Sequence, residues 1–187
     1  MDPIVLSQLP PATSILAGAT LGESHAQLIA QTAALMHLSA VKVVLDFQGT
    51  ESVTASYLKA LFKAFVPDEP VSPQLYPLVT NVAAGDLAFE IESFLRDRNF
   101  AVQQVTVADG AIQPGQPLGQ LDESALAAYR ELELLSEGTA AKLHERNPAA
   151  ASNQTAWNNR LTKLFELRLA HRTRVGRHWV YQPAYSL

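Results

Sequence analysis

The spacing of apolar residues predicts strands that alternate with helices over residues 1–107. Residues 41–47, Val-Lys-Val-Val-Leu-Asp-Phe, form a β-branched run typical of a strand buried on both faces of a sheet. From Ser52 the apolar residues lie three and four apart, which predicts a helix that packs on this sheet and ends before Pro67. The other predicted strands span 4–6, 14–17, 75–79 and 101–107, and the other predicted helices span 23–36 and 86–98. Together they predict a small α/β layer fold.

An irregular linker is predicted at 109–121, because this stretch holds three Gly, two Pro and only one charged residue. We therefore expect a first domain at 1–108 and a second at 122–187. The second domain begins with helices predicted at 122–135, 138–145 and 152–167, and the alternation over 168–183 predicts a β-hairpin. Three short helices followed by a hairpin is the order of a winged helix-turn-helix, in which the third helix enters the major groove of DNA.

Charge is distributed unevenly along the chain. The chain holds 14 Lys and Arg against 18 Asp and Glu, a formal net charge of −4. Residues 1–138 hold six of these cations and sixteen of the acids, whereas residues 139–187 hold eight and two. A contrast of this size indicates that the basic part meets a polyanionic partner.

The third helix and the hairpin carry the side chains that suit double-stranded DNA. Amide and hydroxyl groups bond base edges or phosphates, and cations neutralise phosphates. The candidate DNA-binding residues are Gln154, Thr155, Asn158, Asn159, Arg160, Lys163, Arg172, Arg174 and Arg177. We expect Trp157 and Trp179 to pack against neighbouring residues rather than to stack on bases.

The run from Ser152 to Leu169, followed by Ala170-His171-Arg172 and Gly176-Arg177-His178-Trp179-Val180-Tyr181, resembles the recognition helix and wing of bacterial winged-helix regulators. The resemblance covers residues 122–183 and departs at Trp157, where these families usually have a smaller apolar residue. It implies a DNA-binding protein, and we expect a homodimer that recognises a near-palindromic site. Winged helices also serve as protein adaptors, which leaves a second interpretation open.

Residues 43–58 resemble a STAS-like domain, in the branch where Leu-Asp-Phe-x-Gly ends a strand and Val-Thr-x-Ser-aromatic-Leu follows. Over residues 1–107 this resemblance implies a mixed sheet with packed helices, used for dimerisation or for sensing a regulatory protein or signal. In anti-sigma-factor antagonists the phosphorylated Ser of this region falls on Ala55 here, so the usual phospho-switch is missing. Ser52, Thr54 and Ser56 remain candidate modification sites, although an N-cap role for Ser52 or Thr54 is favoured.

Several functional classes are excluded by the residues present. The absence of Cys removes disulfide frameworks, thiolate zinc sites and cysteine nucleophiles. No nucleophile–base pairing, phosphate-binding Gly loop or metal-ligand spacing is seen, so we expect no enzyme activity, no cofactor and no metal. His25 and His37 stand alone and are expected to be exposed or capping. The apolar-leaning stretch at 26–38 is too short to span a membrane, and a cytoplasmic location is expected.

Two functions follow from these features. The first is a bacterial transcriptional regulator whose second domain binds DNA. The alternative is a partner-switching regulator whose winged helix is a protein adaptor and does not bind DNA.

Overall fold

The computed structural model describes residues 4–6, 14–65, 74–109, 111–151 and 153–187. The chain divides into two compact units, unit 1 at 1–119 and unit 2 at 120–187. Six α-helices and both parallel and antiparallel strand pairs in the described residues confirm a mixed α/β protein. No helix within these ranges has the length and apolar character needed to cross a membrane.

Unit 1 contains seven strands and three α-helices among its described residues. The strands are β1 (Ile4–Leu6), β2 (Ile15–Leu16), β3 (Ala40–Asp46), β4 (Ser52–Val53), β5 (Gln74–Thr80), β6 (Ala101–Ala108) and β7 (Ala111–Gly119). The helices are α1 (Ala19–Leu35), α2 (Ala55–Phe62) and α3 (Asp86–Asp97). The main sheet has the order β1-β3-β5-β6-β7, parallel except for the antiparallel β6–β7 pair, while β2 and β4 form a separate parallel pair.

The centre of unit 1 is the β3–β5 pair, as the β-branched run predicts. Val43, Leu45 and Val79 are fully buried there, on the face of the sheet that shares one hydrophobic core with α1, α2 and α3. Val44 and Leu78, which point to the opposite face, are fully buried as well. Helices α1 and α2 pack closely where Gly22 meets the backbone of Tyr57.

The predicted linker at 109–121 is wrong, because residues 111–119 form strand β7 along one edge of the sheet. Pro114 and Pro117 lack the N–H that a central strand needs, but an edge strand has one side free of pairing and tolerates proline. The side-chain amide of Gln103, which is fully buried, donates to the Gly115 carbonyl at 2.8 Å and ties the two strands together. Gly110 itself lies outside the described residues.

In unit 1, two helices begin at residues other than the predicted ones. Helix α1 begins at Ala19 rather than at residue 23. The helix predicted from Ser52 is divided into β4 and α2, because Thr54 has an extended conformation (φ −94°, ψ 148°) and caps α2. Its hydroxyl accepts a hydrogen bond from the Tyr57 N–H, which has no partner inside the helix.

Unit 2 has the predicted order of three helices and a hairpin. Its elements are α4 (Glu123–Leu135), α5 (Ala140–Arg146), α6 (Gln154–Glu166), β8 (Ala170–Val175), β9 (His178–Pro183) and a 3-10 helix (Ala184–Ser186). The side chains of Asp122, Thr139 and Asn153 cap the three α-helices. Ser152, the predicted start of the third helix, lies outside the described residues. In the hairpin turn Gly176 has φ 61°, which a non-glycine residue rarely adopts.

The core of unit 2 forms around α6, which packs against α4, α5 and β8. Trp157, Leu161 and Leu164 are fully buried along one side of this helix, and Tyr129 and Tyr181 from α4 and β9 are buried in the same unit. Gly138, between α4 and α5, pairs with Tyr181 through two backbone hydrogen bonds of 2.8 and 2.9 Å.

Replacing Gly22 with Ala should destabilise unit 1. Ala is favoured over Gly inside a helix by about 1 kcal/mol, so the change would be stabilising if space were available. A Cβ there would lie 2.4 Å from the Tyr57 carbonyl oxygen, so α1 and α2 must separate. Overpacking of this kind costs about 1–3 kcal/mol, and urea unfolding should show a lower midpoint. Gln27→Ala, at an exposed position of α1, is the matched control; a more stable Gly22→Ala variant would contradict the close packing.

Candidate nucleic-acid interface

Four polar side chains form an exposed face on helix α6. Gln154, Thr155, Asn158 and Asn159 are all exposed, on a different side of the helix from the buried Trp157. None of the four side chains hydrogen-bonds to any described residue. Their amide and hydroxyl groups are therefore available to an external partner that offers both donors and acceptors, as base edges do.

Both cations predicted on α6 are bonded within unit 2. The Nη1 atom of Arg160 donates to the Ala150 carbonyl at 2.7 Å, and the guanidinium lies 5.4 Å from the centre of the Trp157 ring. The Nζ atom of Lys163 donates to the Asp122 carboxylate, with both side chains about half exposed. Arg160 therefore stabilises the segment before α6, whereas Lys163 lies in a solvent-exposed ion pair.

Arg172 lies between two aromatic rings at the base of the hairpin. Its guanidinium carbon is 4.1 Å from the centre of the Phe165 ring and 4.4 Å from that of Trp179. Stacking of this kind is attractive because the ring faces carry negative charge. Arg172 thus joins α6 to β9.

The other two hairpin arginines are exposed. Arg174 lies 5.9 Å from the Trp179 ring, and Arg177 occupies the turn beside Gly176. Neither makes an ion pair with a described residue. The hairpin therefore presents two unneutralised positive charges.

The boundary between the two units lies at residues 119 and 120, so the acidic helix α4 belongs to the same unit as the basic residues 139–187. The charge of each unit therefore differs from the division made at residue 138. Unit 1 has five Lys and Arg against eleven Asp and Glu, and unit 2 has nine against seven. Within unit 2, residues 154–183 hold six cations and a single acid, Glu166. The positive charge is thus concentrated on α6 and the hairpin, where the exposed polar face lies.

Asp122 connects the start of α4 to α6. Its Oδ1 atom accepts hydrogen bonds from the Ala125 N–H and the Ser124 hydroxyl, both at 2.7 Å, and Oδ2 accepts from Lys163. The hydrogen bond from Lys163, followed by those from Ser124 and Ala125, holds the pKa of Asp122 well below its usual range. The carboxylate is therefore ionised at neutral pH and keeps its partners.

The three candidate modification sites of unit 1 have different surroundings. Ser52 lies in β4 opposite Ile15, whereas Thr54 caps α2 and also accepts a hydrogen bond from the Gly18 N–H at 3.2 Å. The Ser56 hydroxyl is exposed and lies 3.1 Å from that of Thr54. The structure thus brings Thr54 and Ser56 together and leaves Ser52 in a strand pair.

The expectation that His25 is exposed or capping is wrong. His25 is 4% exposed, and its Nδ1 atom lies 2.8 Å from the Tyr57 hydroxyl. Burial raises the pKa of Tyr57 above its ordinary value. The available signal was helical spacing, since Gly22, His25 and Ile29 fall on one buried face of α1.

Metal ligation has no candidate in the described ranges, where no three His, Asp or Glu side chains lie close enough together to hold an ion.

Asp122→Asn should lower the stability of unit 2 at neutral pH and reduce its sensitivity to acid. The amide still offers a cap acceptor, but it loses the charge that attracts Lys163 and the first turn of α4. Since the folded-state pKa lies below the unfolded value of about 4, the carboxylate contribution is complete at neutral pH and fades below about pH 4.

Thermal unfolding at about pH 7 and about pH 3 measures this difference. The difference in melting temperature between wild type and Asp122→Asn should be present at the higher pH and should become smaller at the lower pH. Glu137→Gln, an exposed acid after α4, is the matched control and should give no such gap. A gap of the same size at both pH values would contradict the role assigned to the Asp122 charge.

Comparisons with known protein families, with curated proteins and with solved structures find no match to this chain.

Proposed function

We propose that this protein is a DNA-binding transcriptional regulator in which unit 2 acts as a winged helix-turn-helix. The observation that carries the proposal is the exposed face of α6, where Gln154, Thr155, Asn158 and Asn159 have no bonding partner among the described residues. Unit 1 would serve dimerisation or the sensing of a regulatory protein or signal, as a STAS-like domain would.

The position of the polar face supports insertion of α6 into the major groove. Recognition helices contact base edges mainly through residues near their N-terminus, and the four side chains lie in the first half of α6. Asn and Gln can bond the N6 and N7 atoms of adenine together, which distinguishes A·T from the other base pairs. Asn158 and Gln154, one turn apart, are therefore assigned to base contacts.

The hairpin supports contacts to the phosphate backbone. Arg174 and Arg177 are exposed near the turn and can reach phosphates without breaking an ion pair to a described residue. Lys163 would exchange Asp122 for a phosphate at little cost, because exposed ion pairs contribute only about 0–1 kcal/mol. Arg160 and Arg172 would instead fix the positions of α6 and the hairpin through their internal contacts and would not bind DNA directly.

A homodimer would place two copies of unit 2 on successive major-groove segments. Half-sites about 10 base pairs apart, or multiples of that spacing, then give a near-palindromic operator. Unit 1 carries the net negative charge and would not itself be attracted to DNA.

One observation favours the protein-adaptor function as the alternative. Trp179 and Val175 of the hairpin are 40% and 60% exposed, and exposed aromatic residues often anchor protein interfaces. Four of the six cations at 154–183 also have intramolecular partners, namely Arg160, Lys163, Arg168 and Arg172. In this alternative the hairpin binds another protein.

The double variant Arg174→Ala/Arg177→Ala should weaken DNA binding and reduce its salt dependence. Each lost phosphate contact lowers the slope of log K against log salt by about one, so the slope should fall by about two. Fluorescence anisotropy with the native upstream duplex over a salt series measures this. Arg130→Ala, an exposed cation on α4, is the matched control; an unchanged slope in the hairpin variant would remove the hairpin from the interface.

The double variant Gln154→Ala/Asn158→Ala should lose sequence discrimination while keeping the salt slope. A bidentate side chain contributes about 1–3 kcal/mol against a wrong base, so competition by unrelated duplex should become much more effective. Gel shifts with specific and unrelated competitor duplexes measure the ratio of the affinities for the two kinds of DNA. If the wild type forms no saturable, competitor-resistant complex at all, the adaptor function replaces the DNA-binding one.

A further inference from the structure

A groove runs between helices α2 and α3 of unit 1. It consists of two adjoining cavities of about 250 and 440 Å³ that share Lys59, Phe94 and Arg98 as lining residues. Lys59 and Lys63 lie one helical turn apart on the α2 side, while Phe94 and Arg98 lie one turn apart on the α3 side. The groove therefore presents cations from both helices over one space.

The smaller cavity combines an aromatic lining with positive charge. Phe62, Phe94 and Phe100 line it, and the Phe62 ring lies 5.5 and 5.6 Å from the other two ring centres. These rings are mostly buried but each keeps 6–8% of its surface exposed. The exposed part of this cluster offers apolar contact to a flat ligand.

The cations of the smaller cavity are Lys59, Lys63 and Arg98, and no acid is among the described residues that line it. None of the three forms an ion pair with a described residue. The larger cavity differs, because Glu90 and Asp97 there offset Lys59 and Arg98. The smaller cavity, which we call the aromatic end of the groove, therefore attracts an anion more strongly than the larger cavity does.

This placement of charge is unusual for unit 1. The unit has only five cations against eleven acids, and the five are Lys42, Lys59, Lys63, Arg96 and Arg98. Three of them surround the three Phe rings. In an otherwise acidic unit, the groove is the place where a negatively charged ligand meets positive charge beside apolar surface.

We propose that the aromatic end of this groove binds a small aromatic carboxylate. The ring system would lie against Phe62, Phe94 and Phe100, and the carboxylate would pair with Lys63 and Arg98 through charge-assisted hydrogen bonds. Pockets for drug-sized ligands measure about 300–1,000 Å³, so a cavity of about 250 Å³ suits a compact one- or two-ring molecule. Such a site makes unit 1 a small-molecule sensor, and it stands whether or not unit 2 binds DNA.

The test is a titration of the full chain with 2-naphthoate, followed by amide chemical shifts. The neutral amide 2-naphthamide has the same ring system without the charge. Binding of 2-naphthoate should be saturable, should shift resonances of α2 and α3, and should be at least about tenfold tighter than that of the amide.

Substitutions of two cations that line the smaller cavity, Arg98 and Lys63, test where 2-naphthoate binds. Arg98→Gln should weaken 2-naphthoate binding at least about fivefold, and Lys63→Gln should act in the same direction. Arg96→Gln is the matched control, because Arg96 is an exposed cation two residues away that does not line this groove. It should leave the affinity unchanged.

Several outcomes would overturn the proposal. They are the absence of saturable binding, equal affinity for acid and amide, an equal loss in Arg96→Gln and Arg98→Gln, or binding of an acidic peptide at the groove without binding of 2-naphthoate. DNA binding by the same variants is measured separately, so a failure of DNA recognition cannot be mistaken for a failure of this site.

Discussion

Two backbone hydrogen bonds between Gly138 and Tyr181 fix the hairpin of unit 2 to its helices. Gly138 lies between α4 and α5. Strand β9 therefore pairs with β8 along one edge and with this inter-helix connection along the other. The adjoining bond from the Ala184 N–H to the Leu169 carbonyl, at 2.9 Å, closes the base of the hairpin on the end of α6. This pairing, the packing of α6 against β8 and the position of Arg172 between Phe165 and Trp179 together set where the hairpin arginines lie relative to the exposed face of α6.

Some basic residues of unit 2 stabilise its fold through internal contacts, and others are available to bind a polyanion. Arg160 and Arg172 are held by a carbonyl and by aromatic rings, which orders α6 and the hairpin. Arg174 and Arg177 keep their charges free at the turn. A count of cations therefore overstates the number available to a polyanion, and the uncharged polar face of α6 carries more of the proposed specificity than its charge does.

Local patterns explain which parts of the fold could be predicted. The α6 helix follows from apolar residues three and four apart, and the hairpin follows from alternation around Gly176. Strand β7 was missed because its composition is that of a loop, and only its place at the sheet edge makes Pro114 and Pro117 acceptable.

Features that depend on tertiary contacts were not accessible from the sequence. The partner of His25 comes from another helix, and the partners of Arg160 and Arg172 depend on how their segments pack. The groove of unit 1 likewise joins α2, α3 and the residue before β6. Of the candidate interface, residue chemistry predicted the polar face, while the division between bonded and free cations required the structure.

The most direct measurement of the central claim is selection of duplexes from a random-sequence pool by the full-length protein. The proposed function predicts enrichment of a near-palindromic sequence, with half-sites separated by about one helical turn or a multiple of it. Recovery of a pool no different from the input would contradict DNA recognition by unit 2.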